Sequence, residues 1–322
     1  MIPPKDEVTI CFAHVAYNMH AQFAKRETGI RSFQVWNRDE LDARAGEADV
    51  LVISGLWRND LTEKAQRLRF IQSIGAGTDQ FGRDVLSAKG IRLASASGVN
   101  MKAVSEHAMA LILALARRLP EARDNQARHH WRGMIGDLTR REDELGGKTL
   151  VIVGVGNIGG RLARLAKAFD MHVIGVRRDP AAGSNGADSV RAVSDLKSLL
   201  PQADIVALTC PLTKETENLI DADALGRMKK SAFLINAARG KVVNEAALIA
   251  TMKAGGIAGA ALDVTVEDPL PAESPLWDLP NTFITPHTAG ETRRYEDNVL
   301  DILEENLQHL WRGEARLRNQ IL

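Results

Sequence analysis

Three polar residues in the second half of the chain, Arg239, Asp268 and His287, each follow an apolar, strand-like run. Arg239 comes after Phe233-Leu-Ile-Asn236, Asp268 lies in the loop after Gly259 to Val264, and His287 follows Phe283-Ile-Thr285-Pro286. Imidazole has the acidity to pass a proton near neutral pH. A carboxylate beside it fixes its tautomer and favours the protonated form, and a guanidinium offers a planar fork for a carboxylate ligand. Ligands of doubly wound sheets bind outside the carboxyl ends of the strands, so these loops would bring the three groups to one crevice, where they suit reduction of a carbonyl. Taken singly, each has a structural explanation. Arg239 caps a helix or pairs on the surface, Asp268 before Pro269 is a turn residue, and His287 satisfies a loop carbonyl.

A second pattern supplies the other reactant. Gly154-Val-Gly156-Asn157-Ile158-Gly159 follows the apolar run Leu150 to Val153 and opens a segment, Arg161 to Phe169, whose Leu and Ala residues recur at helical spacing. In a strand, glycine turn and helix, Gly154 permits the tight turn, Gly156 admits a pyrophosphate close to the backbone, and Gly159 lets the helix pack on its strand. The implied ligand is a dinucleotide; the alternative is an ordinary strand-to-helix turn. The next strand, His172 to Val176, runs into Arg177, Arg178 and Asp179, where a carboxylate normally takes the ribose 2′-hydroxyl of NAD. Two arginines there suit a 2′-phosphate and favour NADP, with NAD as the alternative if Arg177 and Arg178 are solvated and Asp179 takes the hydroxyl.

Composition narrows the partners. Lys plus Arg and Asp plus Glu both number 41 in 322 residues, so nothing suggests a general affinity for nucleic acid or an acidic membrane. The amino terminus is not a basic region with a long apolar core, and no segment stays apolar long enough to span a bilayer, so a cytoplasmic chain is expected. The two cysteines, Cys11 and Cys210, lie in apolar runs without metal-site spacing; buried inert thiols are expected, and neither a metal site nor a disulfide.

Strands and helices must position these residues. Strand candidates Val8 to Phe12, Ser32 to Val35, Val50 to Ser54, Phe70 to Ile74 and Ile91 to Ala94 alternate with helical segments, the mark of a helix-covered parallel sheet. A long amphipathic helix, Lys102 to Arg118, ends near Pro120 and links two lobes. After the segment Asn125 to Gly147 comes a second series: Thr149 to Val153, His172 to Val176, Asp204 to Thr209, Ala232 to Asn236, Gly259 to Val264 and Thr282 to Thr285. Ala181 to Gly186 reads as a flexible turn. The last helix, roughly Arg293 to Trp311, is expected to return to the first lobe. The fold class is therefore α/β with two doubly wound parallel-sheet domains. Residues 1–101 with 291–322 form a discontinuous flavodoxin-like substrate domain, and 102–290 a Rossmann nucleotide domain, closing about Lys102 and Glu291.

The chain resembles the D-isomer-specific 2-hydroxyacid dehydrogenases. The matching text is GVGNIG at Gly154 to Gly159, CPLTKET at Cys210 to Thr216, INAARGKVVNEAAL at Ile235 to Leu248, GAALDV at Gly259 to Val264 and SPLWDLPNTFITPHTAG at Ser274 to Gly290. In the first half it is IGAGTD at Ile74 to Asp79 and VSEHAMALILAL at Val104 to Leu115. The resemblance implies that Arg239 holds the carboxylate and keto oxygen of a small 2-keto acid, and that His287 protonates the carbonyl as hydride arrives, or acts as base in the reverse direction. It also implies that Asp263 contacts the nicotinamide carboxamide and that Cys210, Pro211, Ala237, Ala238 and Gly290 line the cofactor. The Gly75-Ala76-Gly77 loop resembles a substrate loop whose amides grip a carboxylate; the alternative is a simple tight turn.

Two departures from the family pattern stand out. Asp268 with Glu267 before it occupies the place of the usual glutamate before proline, and Asp268 is expected to pair with His287. Arg177 stands at the usual aspartate position. Glyoxylate or hydroxypyruvate is the expected substrate, with side-chain preference set by residues such as Leu56, Trp57 and Met101. A nucleotide-sensing, corepressor-like binding protein is the alternative; it would expect extra interaction segments, and a phosphoglycerate-type enzyme an additional carboxyl-terminal domain. A homodimer is expected around the linking helix and its arm, Asn125 to Asp137, unless Trp131 packs within its own lobe.

Overall fold

The computed structural model describes residues 2–322. Two compact units divide the chain: one runs to Asn100 and resumes over Thr292–Leu322, and the other covers Met101–Glu291.

In the first unit, β1 (Thr9–Ala13), β2 (Arg31–Val35), β3 (Val50–Ile53), β4 (Phe70–Ser73) and β5 (Arg92–Ala94) form a parallel sheet ordered β2-β1-β3-β4-β5. This is the flavodoxin-like doubly wound order. Every residue of β3 and β4 is buried, as expected of parallel strands covered on both faces. One face packs against the helix Tyr295–Trp311, where Phe12, Val50 and Phe70 meet Val299, Leu303 and Leu307. The amide of Asn306 on that helix satisfies the buried side chain of Gln72 on β4 at 2.9 Å. The edge at β5 is covered by the chain's last residues, with Asn319 accepting from Ser95 N at 3.0 Å and Ile321 donating to Leu93 O at 2.8 Å.

In the second unit, β6 (Thr149–Val153), β7 (His172–Arg177), β8 (Ser189–Ala192), β9 (Ile205–Leu208), β10 (Phe233–Asn236), β11 (Gly259–Leu262) and β12 (Thr282–Ile284) are parallel and ordered β12-β11-β10-β9-β6-β7-β8. The order reverses between β6 and β9, the switch point at which doubly wound sheets bind ligands. The edge strand β8 has no counterpart in the sequence reading, because its residues are half-buried or exposed and form no apolar run.

The linking helix also differs from expectation. It spans Met101–Ala116, breaks at Arg118 (φ 51°), and a second helix, Leu119–Ala127, begins with Pro120 in its first turn. Proline there loses no intrahelical hydrogen bond, so it starts a helix instead of stopping one. Beyond it, Trp131 and Met134 stand 97% and 101% exposed; packing of Trp131 within its own unit is not found. Among the described residues, no helix is long and apolar enough to cross a membrane and no cluster could hold a metal ion. Cys11 and Cys210 are buried free thiols, and burial pushes them up to about 12 and about 11.

Candidate active site

The glycine fingerprint is shaped by contacts that forbid side chains at two positions and leave a third open. Gly154 ends β6 at φ +102°, and a β-carbon on it would lie 2.5 Å from the backbone nitrogen of Cys210. A β-carbon on Gly159 would lie 2.2 Å from the Gly154 carbonyl oxygen, so the helix Asn157–Lys167 sits directly on the turn. Gly156 is different: nothing lies within 4 Å of its added β-carbon, and it starts that helix without a side-chain cap. Open backbone at a helix amino terminus is what a pyrophosphate requires, so these residues fit a dinucleotide. Asn157 is exposed and Ile158 half-buried beside it.

The turn Ala181 to Gly186 is tied down, in contrast to the flexibility expected of it. Asn185 Nδ2 donates to the Gly156 carbonyl at 2.6 Å, and a β-carbon on Gly160 would meet that amide at 2.3 Å. Arg177 closes the same turn, donating to Gly183 O at 3.0 Å. Its neighbourhood to the fingerprint follows from the bond between Gly154 N and Val176 O at 2.7 Å. Asp179 is engaged locally, its Oδ1 accepting from Ala181 N at 3.0 Å. Arg178 is exposed, near enough to Glu215 to help Thr213 and the backbone hold that carboxyl below its ordinary value.

Beyond the switch point, the loops after β9, β10, β11 and β12 carry the remaining residues. Thr216 Oγ1 donates to the Pro211 carbonyl at 2.7 Å and fixes the Cys210–Thr216 loop. Buried Asn236, at the end of β10, holds the next turn: its Oδ1 accepts from Ala238 N at 3.1 Å and its Nδ2 donates to Arg239 O at 3.1 Å. Ala237 donates its N–H to Leu208 O at 3.2 Å. Arg239 leaves this turn exposed, with one nitrogen on Ala238 O at 2.7 Å. A β-carbon on Gly240 would lie 1.9 Å from Thr265 O, so the Arg239 turn lies against the loop leading to Asp268.

His287 and Asp268 meet directly. Nδ1 of the imidazole bonds Oδ2 of Asp268, leaving Nε2 on the opposite side of the ring. Glu267 is exposed and its backbone oxygen accepts from Thr265 Oγ1 at 2.6 Å. His287 adopts φ +55°, a left-handed conformation that residues with a β-carbon seldom take. Asp263 fixes the turn around it. Its buried carboxylate accepts from Thr285 Oγ1 at 2.7 Å, Thr288 N at 3.1 Å and Ala289 N at 3.2 Å. Burial alone would raise its pKa; the nearby His107 ring and the hydrogen bonds from Thr285 and the Ala289 amide outweigh it and lower the value. Asp263 thus holds the segment between β12 and Gly290, in addition to any cofactor contact.

In the first unit, Tyr295 Oη donates to Ile74 O at 2.9 Å and Ser73 Oγ to Gly75 O at 3.0 Å. Gly75 lacks positive φ, and a β-carbon there would meet Ser54 Oγ at an ordinary 3.5 Å. Neither conformation nor crowding within the unit demands glycine. Trp57 and Leu56 are buried, and the Trp57 ring is tilted against Phe81 with centroids 5.3 Å apart.

Residues 109–289 match the family model described as D-isomer specific 2-hydroxyacid dehydrogenase, NAD binding domain. The chain is 35% identical to glyoxylate/hydroxypyruvate reductase B of Yersinia enterocolitica over 92% of each protein. The chain belongs to the D-isomer specific 2-hydroxyacid dehydrogenase family. It is also 36% identical to the D-3-phosphoglycerate dehydrogenase of Methanocaldococcus jannaschii over 86% of its own length, but spans only about half, 52%, of that protein. Among solved structures, a D-isomer specific 2-hydroxyacid dehydrogenase family protein from Aeromonas salmonicida superimposes with a TM-score of 0.83 at 29% identity, covering 98% of this chain and 99% of that one. The open Gly156 turn and the His287 loop follow strands of one sheet, and both lie within the stretch that matches the family's NAD binding domain.

Proposed function

We propose that this chain reduces a small 2-keto acid to a D-2-hydroxy acid with hydride from NADPH, and runs the reverse reaction. The observation that carries this reading is His287, held by Asp268 through Nδ1 on a turn fixed by Asp263. The bound nicotinamide dinucleotide supplies the hydride. Asp268, accepting at Nδ1, holds the imidazole with its Nε2 proton directed away; Nε2 donates that proton to the carbonyl oxygen and, in oxidation, removes it from the hydroxyl. Arg239 binds the substrate carboxylate and keto oxygen, orienting the carbonyl and offsetting charge that develops on oxygen. The Gly75-Ala76-Gly77 loop is proposed to offer its backbone amides to a substrate carboxylate.

The preference for NADPH over NADH rests on Arg177 and Arg178 at the end of β7 and on the engagement of Asp179 within its own turn. Glyoxylate or hydroxypyruvate is the proposed substrate, on the likeness to the Yersinia reductase. A cytoplasmic homodimer is proposed, with the exposed Trp131 and Met134 covered by a second copy; sedimentation as a monomer at working concentration overturns the dimer. Mixing protein, NADPH and a panel of 2-keto acids tests the activity: the nicotinamide absorbance should fall. Cofactor binding without turnover on any of them would replace the dehydrogenase with a non-catalytic nucleotide sensor.

A further inference from the structure

His107 lies inside the helix Met101–Ala116, in a segment whose apolar residues read only as core, and its side chain is 24% exposed. Its Nε2 is 2.9 Å from Thr285 Oγ1 and 3.4 Å from Asp263 Oδ1. A hydroxyl has one proton, and that of Thr285 goes to Asp263 Oδ1 at 2.7 Å; the contact with His107 therefore makes Thr285 the acceptor and His107 Nε2–H the donor. The same Oδ1 takes the Thr288 and Ala289 amides. One chain of hydrogen bonds thus runs from a rigid helix through Thr285 and Asp263 to both sides of His287, the residue at φ +55°.

We propose that His107 is a positioning residue for proton transfer, aiming the His287 ring by locking the Thr285–Ala289 turn from the helix side. The role rests on the dehydrogenase reading above. Without the His107 donor, Thr285 regains freedom to rotate its hydroxyl away from Asp263, and the left-handed turn loses one of its restraints. Reacting groups displaced by a fraction of an ångström lose rate and not affinity.

The test compares His107→Phe, which keeps a flat ring without a donor, with His107→Gln, whose Nε2 amide restores one. The phenylalanine variant should lose about 10- to 100-fold in kcat, with the cofactor Kd changed less than about threefold, and the glutamine variant should recover most of the loss. Amide exchange of Thr288 and Ala289 gives a readout free of activity: it should speed up in His107→Phe and return towards the original rate in His107→Gln. Unchanged exchange in both variants overturns the inference, whatever the turnover. Equal losses in the two variants, or a Kd rising in step with the fall in kcat, overturn it as well. A starting protein that binds NADPH but reduces no keto acid sinks the dehydrogenase reading alone, because the exchange measurement still decides the restraint.

Discussion

Nδ1 of His287 bonds the carboxylate of Asp268, with Glu267 one residue away and exposed. The shorter aspartate reaches the imidazole because its loop and the β12 loop lie side by side. An acid whose tautomer is no longer fixed loses most of its effect on the barrier. Asp268→Asn should therefore lower kcat about 100-fold or more, whereas Glu267→Gln should stay within about threefold. Steady-state kinetics of the two variants decide it, and the reverse order transfers the role to Glu267.

Gly154 and Gly156 should fail in different ways. An alanine at 154 combines φ +102° with a 2.5 Å clash against the Cys210 backbone, so Gly154→Ala should cost about 2–4 kcal/mol in denaturant unfolding. Gly156→Ala meets nothing within 4 Å; its stability should change by less than about 1 kcal/mol, while the dinucleotide Kd rises at least about tenfold. Normal NADPH binding by Gly156→Ala would remove the pyrophosphate from this turn.

Arg178 offers the cleaner probe of cofactor choice, because Arg177 also holds its own turn. A charge-assisted phosphate contact contributes about 1.5–3 kcal/mol. The ratio of kcat/KM for NADPH over NADH should accordingly fall about 10- to 100-fold in Arg178→Gln. A starting protein that prefers NADH would end the 2′-phosphate assignment.

Asp263 sets an acid dependence. Its folded value lies below the unfolded 3.8, so its stabilisation is complete above that pH and is lost as pH falls through the lower folded value. Asp263→Asn should be less stable by about 2 kcal/mol near neutrality, and the gap should narrow on acidification below 3.8. Denaturant unfolding of both proteins across this range is the measurement; a constant gap contradicts the assignment.

Strands that are buried on both faces were readable because they are unbroken apolar runs, as in Val50–Ile53 and Ile205–Leu208. His287 and Asp268, which the structure brings into contact, could be picked out by their place after apolar runs. What stayed hidden was dual-use polarity. Asn185, Asn236 and His107 work through contacts to residues distant in sequence or through backbone geometry, and neither leaves a period or a spacing. His107 lies within VSEHAMALILAL, one of the stretches carrying the family resemblance, where its polarity among apolar neighbours was the available signal.

The order of the chain dictates an order of assembly. The side-chain oxygen of buried Gln72 accepts from Asn306, and one hydrophobic face of the first sheet is covered by a helix that begins at Tyr295. On the ribosome, at about 5–20 residues per second, the first unit must wait roughly 10 to 40 s for the segment from Thr292 onward, while the whole of Met101–Glu291 is synthesised. All five strands of the first sheet precede the second unit in the chain, so for that interval they stand without the late helix that seals one of their faces.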